Sequence, residues 1–283
     1  MGWSAAARRE IDEVLSFLAV REWSCVSFSS RLLGRDLGTN RVFINRSGDA
    51  ANRIIESLLL TNHGMIIPVL DPDHRGLGSY QNELLPLIRS YAENIHSVMG
   101  IDRQVGTVDA LIGGRATERL DYFLMTHEYF NITPPPAERG ALTIRQAGVS
   151  DLATLFPLQR DYEKEEVLLD PERFSATSSF LALQKSLRKE IIYLAEIDDR
   201  PVAKAGTNAR GINYYQIGGV FTIPPLRGQG IAKALMRSLM WEIAQKQKHI
   251  CLFVKKANTA AIRLYSSLGF SVRDSFAINY YRI

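Results

Sequence analysis

The residues Pro224-Pro225-Leu226-Arg227-Gly228-Gln229-Gly230-Ile231-Ala232 stand between a strand-like stretch and a helix-like one. Glycines let a backbone bend tightly and come close to a ligand. The N–H groups of the first helical turn then converge on one point, with the positive end of the helix dipole behind them. Such a turn suits a pyrophosphate. Gly-x-Gly before a helix is also an ordinary tight turn, and the spacing alone does not separate the two. Further on, Tyr265 offers a phenol that can give up a proton, or a packing aromatic beside Ile262 and Leu268. The run Arg160-Asp161-Tyr162-Glu163-Lys164-Glu165-Glu166 is acidic. It would attract a cationic amine, or simply form a solvated helix face. Val167, Leu168 and Leu169 follow it, which brings part of the run near buried surface.

Two motifs in order sharpen this reading. Arg227-Gly228-Gln229-Gly230-Ile231-Ala232 resembles the Arg/Gln-x-x-Gly-x-Gly/Ala signature of the GCN5-related N-acetyltransferase (GNAT) superfamily. Asn258-Thr259-Ala260-Ala261-Ile262-Arg263-Leu264-Tyr265-Ser266-Ser267-Leu268-Gly269-Phe270 resembles the family's Asn-x-x-Ala-x-x-x-Tyr-x-x-x-Gly-Phe segment. The resemblance covers residues 141–283. Residues 1–136 lack both motifs, so the chain is similar to two-domain members whose N-terminal domain is degenerate or unrelated.

The resemblance implies acetyl-CoA as cosubstrate and a primary amine as acceptor, attacking directly in a ternary complex. Arg227, Gly228, Gln229, Gly230, Ile231, Ala232 and Lys233 would hold the pyrophosphate, largely by backbone amides. Val220, Phe221 and Thr222 would pair with the pantetheine arm like an added strand, at a bulge that splays two strands. Gly218-Gly219 suits that bulge. Asn258 would hydrogen-bond the cofactor, and Tyr265 would reprotonate the departing thiolate. Backbone donors near Val220 would steady the oxyanion. Glu165 and Glu166 would line the acceptor side. No carboxylate falls in residues 213–223, and Phe253, Val254 and Lys255 occupy the later stretch, so the base is missing from its usual places. Glu196 or a water chain is the substitute. The alternative is a non-catalytic acyl-CoA-binding regulatory or interaction module.

These side chains need elements to position them. In the back half, strands are expected at residues 142–145, 191–197, 202–208, 213–223 and 250–254, with Asp198-Asp199 as a hairpin turn. Helices are expected at 151–168, 177–189, 231–246 and 259–268, and two short terminal strands at 271–272 and 278–282. In the front half, residues 5–19, 50–60, 82–95 and 107–112 read as helices. Residues 41–45, 64–70, 97–100 and 122–126 read as strands. That alternation implies α/β layers with parallel pairing. Together with the family resemblance this implies an α/β (α+β) fold class: a GNAT-like domain expected over 137–283, with a splayed mixed sheet flanked by helices, and an α/β domain expected over 1–136. The boundary falls in the stretch Thr133-Pro134-Pro135-Pro136, whose prolines suit neither a helix interior nor a central strand.

Composition sets the outer bounds. The chain has 283 residues, 46% hydrophobic and 23% charged, which fits packed domains and not a disordered chain. No apolar run approaches the roughly 18 residues of a membrane span. Arg8, Arg9 and Glu10 stand where a signal peptide would need its apolar core, so a cytoplasmic location is expected. Cys25 and Cys251 lack CxxC spacing and read as reduced core thiols. The scattered histidines suggest no metal. Residues 1–136 carry 13 Arg, no Lys and 16 acidic residues, a balance of −3; residues 137–283 carry 21 basic and 14 acidic residues, a balance of +7. Lys233, Lys255, Lys256 and Arg263 lie on or near segments that would face a phosphate-bearing cofactor. The basic half therefore suits a nucleotide-like cofactor better than a nucleic acid. The expected partner is an amine-bearing small molecule or protein, not a nucleic acid or a membrane; a homodimer is left open.

Overall fold

The computed structural model describes residues 2–34, 40–71, 77–91, 94–114, 116–130, 132–133 and 141–281. The proline-rich stretch 134–140, and with it the expected division after residue 136, lies outside them. In chain order the elements are β1 (Trp3–Ala5), α1 (Ile11–Ala19), α2 (Val26–Leu33), β2 (Arg41–Arg46), β3 (Ile54–Leu60), β4 (Met65–Val69), α3 (Leu77–Tyr91), β5 (Ser97–Ile101), α4 (Asp102–Ile112) and β6 (Glu118–His127). They continue as β7 (Leu142–Gln146), α5 (Leu152–Tyr162), α6 (Ala176–Lys189), β8 (Ile192–Ile197), β9 (Arg200–Arg210), β10 (Tyr214–Thr222), α7 (Ile231–Gln245), β11 (His249–Lys255), α8 (Thr259–Ser266) and β12 (Ser271–Tyr280). Among the described residues no helix is long and apolar enough to cross a membrane.

The chain divides into two compact units. The first comprises Met1–Met125, Phe253–Ile262 and Val272–Ile283; the second comprises Thr126–Leu252 and Arg263–Ser271. The first unit therefore recruits two segments from the far end of the chain.

In the first unit the strand order is β1-β2-β3-β4-β5-β12-β6. Parallel pairing is not the rule here: β1, β2, β3 and β4 form an antiparallel meander, while β4 and β5 run parallel. Short turns such as residues 61–64 reverse the chain, which parallel pairing cannot use. Residues 50–60, expected as a helix, hold the strand β3 instead. Ile54-Ile55-Glu56-Ser57-Leu58-Leu59-Leu60 is buried on both faces, and such a run has no period that separates strand from helix. Glu56 is buried within it, where its carboxylate accepts from Asn45 Nδ2 at 2.7 Å, Tyr80 Oη at 2.6 Å and Asp71 N at 3.0 Å. Leu59 and Ile67 face a core shared with Val14, Leu18 and Phe28; Leu58 and Ile66 face a second core with Tyr80, Leu84 and Val105. The two expected terminal strands are one, β12, which runs antiparallel to β5. There Phe276 is 2% exposed and stacks on Phe253 with ring centroids 3.8 Å apart.

In the second unit the order is β11-β10-β9-β8-β7. Asp198 and Asp199 take φ of 50° and 58°, the turn that closes the β8–β9 hairpin. Helices α5 and α6 cover one face through Leu155, Leu158, Leu183 and Leu187, against Ile192, Leu194 and Phe221. Helix α7 crosses between the parallel strands β10 and β11. The helix expected over 151–168 ends at Tyr162 and widens into a π-helical turn, Glu163–Val167. Cys25 and Cys251 are both buried and neither is in a disulfide.

The β12 packing yields a direct check. Phe276→Ala removes a fully buried ring, so urea unfolding should show a loss of about 3–5 kcal/mol with the fold retained.

Candidate active site

Strand β10 builds the site. From Tyr214 to Ile217 it pairs with β11, and beyond Ile217 the pairing stops. On its other side it pairs with β9, but the register slips between Gly218 and Phe221. Gly219 sits at that bulge with φ +64°, a conformation costly for any residue with a Cβ. The edge of Val220, Phe221 and Thr222 that faces away from β9 thus has no β11 partner. Thr222 Oγ1 is buried there without a hydrogen-bond partner.

The glycine turn follows. Gly228 and Gly230 have φ of 77° and 80°, and Gly230 is the N-cap of α7. No side chain caps that helix and no acidic residue lies in its first turn. The N–H groups of Ile231, Ala232 and Lys233 therefore stand at an uncapped helix start, which favours an anion. Arg227 ties the turn down. Its Nε donates to Thr222 O at 3.0 Å, Nη2 donates to Glu165 at 2.8 Å, and the guanidinium lies 5.3 Å from the Phe221 ring centroid. Gln229 Nε2 donates to Pro225 O at 3.4 Å.

The acceptor-side candidates separate. Glu165 is exposed and bonded to Arg227. Glu166 acts electrostatically on both Tyr162 and Tyr265. Glu196 is committed elsewhere: Arg145 donates to both of its oxygens at 2.9 Å and also grips Asp151. That ion pair joins β7 to β8. Tyr265 is buried against Phe270, and burial first, then Tyr162 and Glu166, push its phenol well above the ordinary tyrosine range. It holds its proton at neutral pH. Asn258 belongs to the first unit, where its Oδ1 accepts from Ala261 N at 3.0 Å and caps α8.

Two residues at the bulge had no motif to reveal them. Tyr162, at the end of α5, hydrogen-bonds the Gly219 backbone, and burial is the main cause raising its phenol. Lys204, on β9, is 5% exposed, lies 4.4 Å over the Tyr162 ring and donates to Gly219 O at 3.1 Å. Burial pulls its ammonium down to about 7, with Glu163 acting in the opposite direction. Their alternation with apolar neighbours reads as a strand and a helix face, so only the fold brings them together.

Residues 155–270 match the model of the acetyltransferase (GNAT) family. The chain thus carries a GNAT-family acetyltransferase domain over these residues. Solved structures share its fold across nearly the whole length. A Drosophila protein covers 98% of each chain at TM-score 0.72 and 14% identity. A GCN5-related N-acetyltransferase from Sphaerobacter thermophilus covers 98% of this chain and 94% of its own at TM-score 0.63 and 16% identity. A tandem GNAT protein from the clavulanic acid biosynthesis pathway covers 98% and 97% at TM-score 0.62 and 14% identity. At these identities the likeness is one of fold. No match was found among curated proteins.

The GNAT turn carries its own test. A Cβ at Gly230 would meet nothing within 4 Å, so the glycine is needed for its φ of 80° and not for space. Gly230→Ala should lower unfolding free energy by about 1–2 kcal/mol, read from the urea midpoint.

Proposed function

We propose that the protein is an acetyl-CoA-dependent N-acetyltransferase that transfers the acyl group to a primary amine by direct attack in a ternary complex. One observation carries this: the open edge of β10, with its orphaned Thr222 Oγ1, leads straight into an uncapped helix start. A pantetheine arm needs an extended edge to pair with, and a pyrophosphate needs converging N–H donors. The chain presents both in that order, a fit that a plain tight turn would not require.

The residues then divide the work. Val220, Phe221 and Thr222 would align the arm, and Gly228, Gln229, Gly230, Ile231, Ala232 and Lys233 would cradle the phosphates, with Arg227 bracing the turn. The bound cosubstrate supplies a thioester carbonyl. The bulge gives backbone donors for the oxyanion that forms when an amine attacks it. Tyr265 would then pass its retained proton to the departing sulfur. Glu166 and Glu163 would draw a cationic acceptor toward the bulge. The acceptor is an amine-bearing small molecule or protein.

Acetyl-CoA should raise the melting temperature, and CoA should be released when primary amines are added. Stabilisation without release across a broad amine panel would favour a non-catalytic binding module. Tyr265→Phe should lower kcat by about 10²–10⁴-fold and leave the acetyl-CoA Kd nearly unchanged. Equal turnover would remove its acid role.

A further inference from the structure

We infer that Lys204 is the general base of the acyl transfer proposed above: its buried amine takes the proton that the acceptor ammonium must lose before it attacks. The inference rests on the acetyltransferase reading. It fills the place left by β10, which carries no carboxylate.

The geometry is specific. Lys204 sits mid-strand in β9 opposite Leu194 on β8 and Phe221 on β10. Those neighbours are apolar, and its side chain is almost wholly enclosed. Nζ ends at the bulge, 3.1 Å from Gly219 O. Among the described residues no carboxylate stands within ion-pair distance of it. The groups that face it are the Tyr162 ring from α5 and, through space, Glu163 from the π-helical turn. Glu166 acts on Tyr162 and on Tyr265, and Tyr162 acts on Tyr265.

An ammonium buried without a counter-ion is costly, so the neutral amine is favoured. A neutral amine still donates one N–H to Gly219 O and keeps its lone pair. It is thus both held and available as a base near neutral pH. The proton balance closes. One proton passes from the acceptor nitrogen to Nζ and then to solvent. The freed amine forms the C–N bond as the C–S bond breaks. The sulfur takes the Tyr265 proton, and the second proton of the acceptor nitrogen restores the phenol.

Lys204→Met removes the amine at similar length, and Lys204→Arg keeps a donor for Gly219 O but cannot deprotonate. Wild-type kcat/KM for the amine should rise up to tenfold per pH unit below about 7 and level off above. Both variants should lose about 100-fold or more at pH 7.5, lose that inflection and keep their acetyl-CoA affinity. An Arg variant with wild-type rate and inflection would overturn the assignment, leaving Lys204 a staple for the bulge. A second readout needs no turnover. The unfolded lysine titrates near 10.5 and the folded one near 7, so between them the unfolded chain binds more protons. Wild-type stability should therefore gain on Lys204→Met as pH rises from 7 toward 10. A constant melting gap would mean a charged amine and would overturn the proposal. A closing gap with no CoA release from any amine would instead overturn the acetyltransferase reading, and Lys204 as its base with it.

Discussion

The structure of the site depends on one constraint: β10 cannot stay paired with β11 past Ile217. The extra residue at the Gly219 bulge turns the strand, and only a residue without a Cβ takes its φ cheaply. From this departure comes the open strand edge that precedes the glycine turn. An edge strand with unpaired backbone is a liability in most proteins. It persists here because it is short, lies beside a turn and is braced on its other side by β9. The Lys204 bond to Gly219 O and the Tyr162 bond to the Gly219 backbone both fix the same residue.

Electrostatics around the bulge order the site more than they stabilise the fold. The Arg227–Glu165 pair is well exposed, so it contributes at most about 1 kcal/mol. It joins the glycine turn to the π-helical turn. π-helical turns cost stability and recur where a helix must deliver side chains out of register. Here the widening swings Glu163 and Glu166 toward the two buried phenols while Glu165 reaches outward. The strong ion pairs lie elsewhere: Arg145 with Asp151 and Glu196, and Arg46 with Glu10 and Glu13.

The back half was legible in the sequence because its elements are strongly periodic and its two motifs sit on turns with fixed chemistry. The bulge followed from Gly218-Gly219, and the hairpin from Asp198-Asp199. The front half was less legible. The buried run of β3 has no period, and α2 (Val26–Leu33) mixes serines into its apolar face, which blurs its helical pattern. The three polar residues Arg273, Asp274 and Ser275 interrupt the apolar pattern between the two expected strands, although β12 passes through them unbroken. No local pattern could show that β12 lies beside β5, since their partners are far apart in sequence. Lys204 was invisible for a different reason. A lysine in a strand reads as a solvent-facing charge, and only its cross-strand neighbours reveal it as buried.

The central claim is that one continuous surface, the free edge of β10 and the start of α7, receives the cosubstrate. Amide-resolved NMR on titration with acetyl-CoA tests this most directly. The account predicts that the largest shifts fall on the amides of Val220, Phe221, Thr222, Gly228, Gly230, Ile231 and Ala232, appearing together at one affinity. Binding that leaves those amides unmoved while shifting others would contradict it.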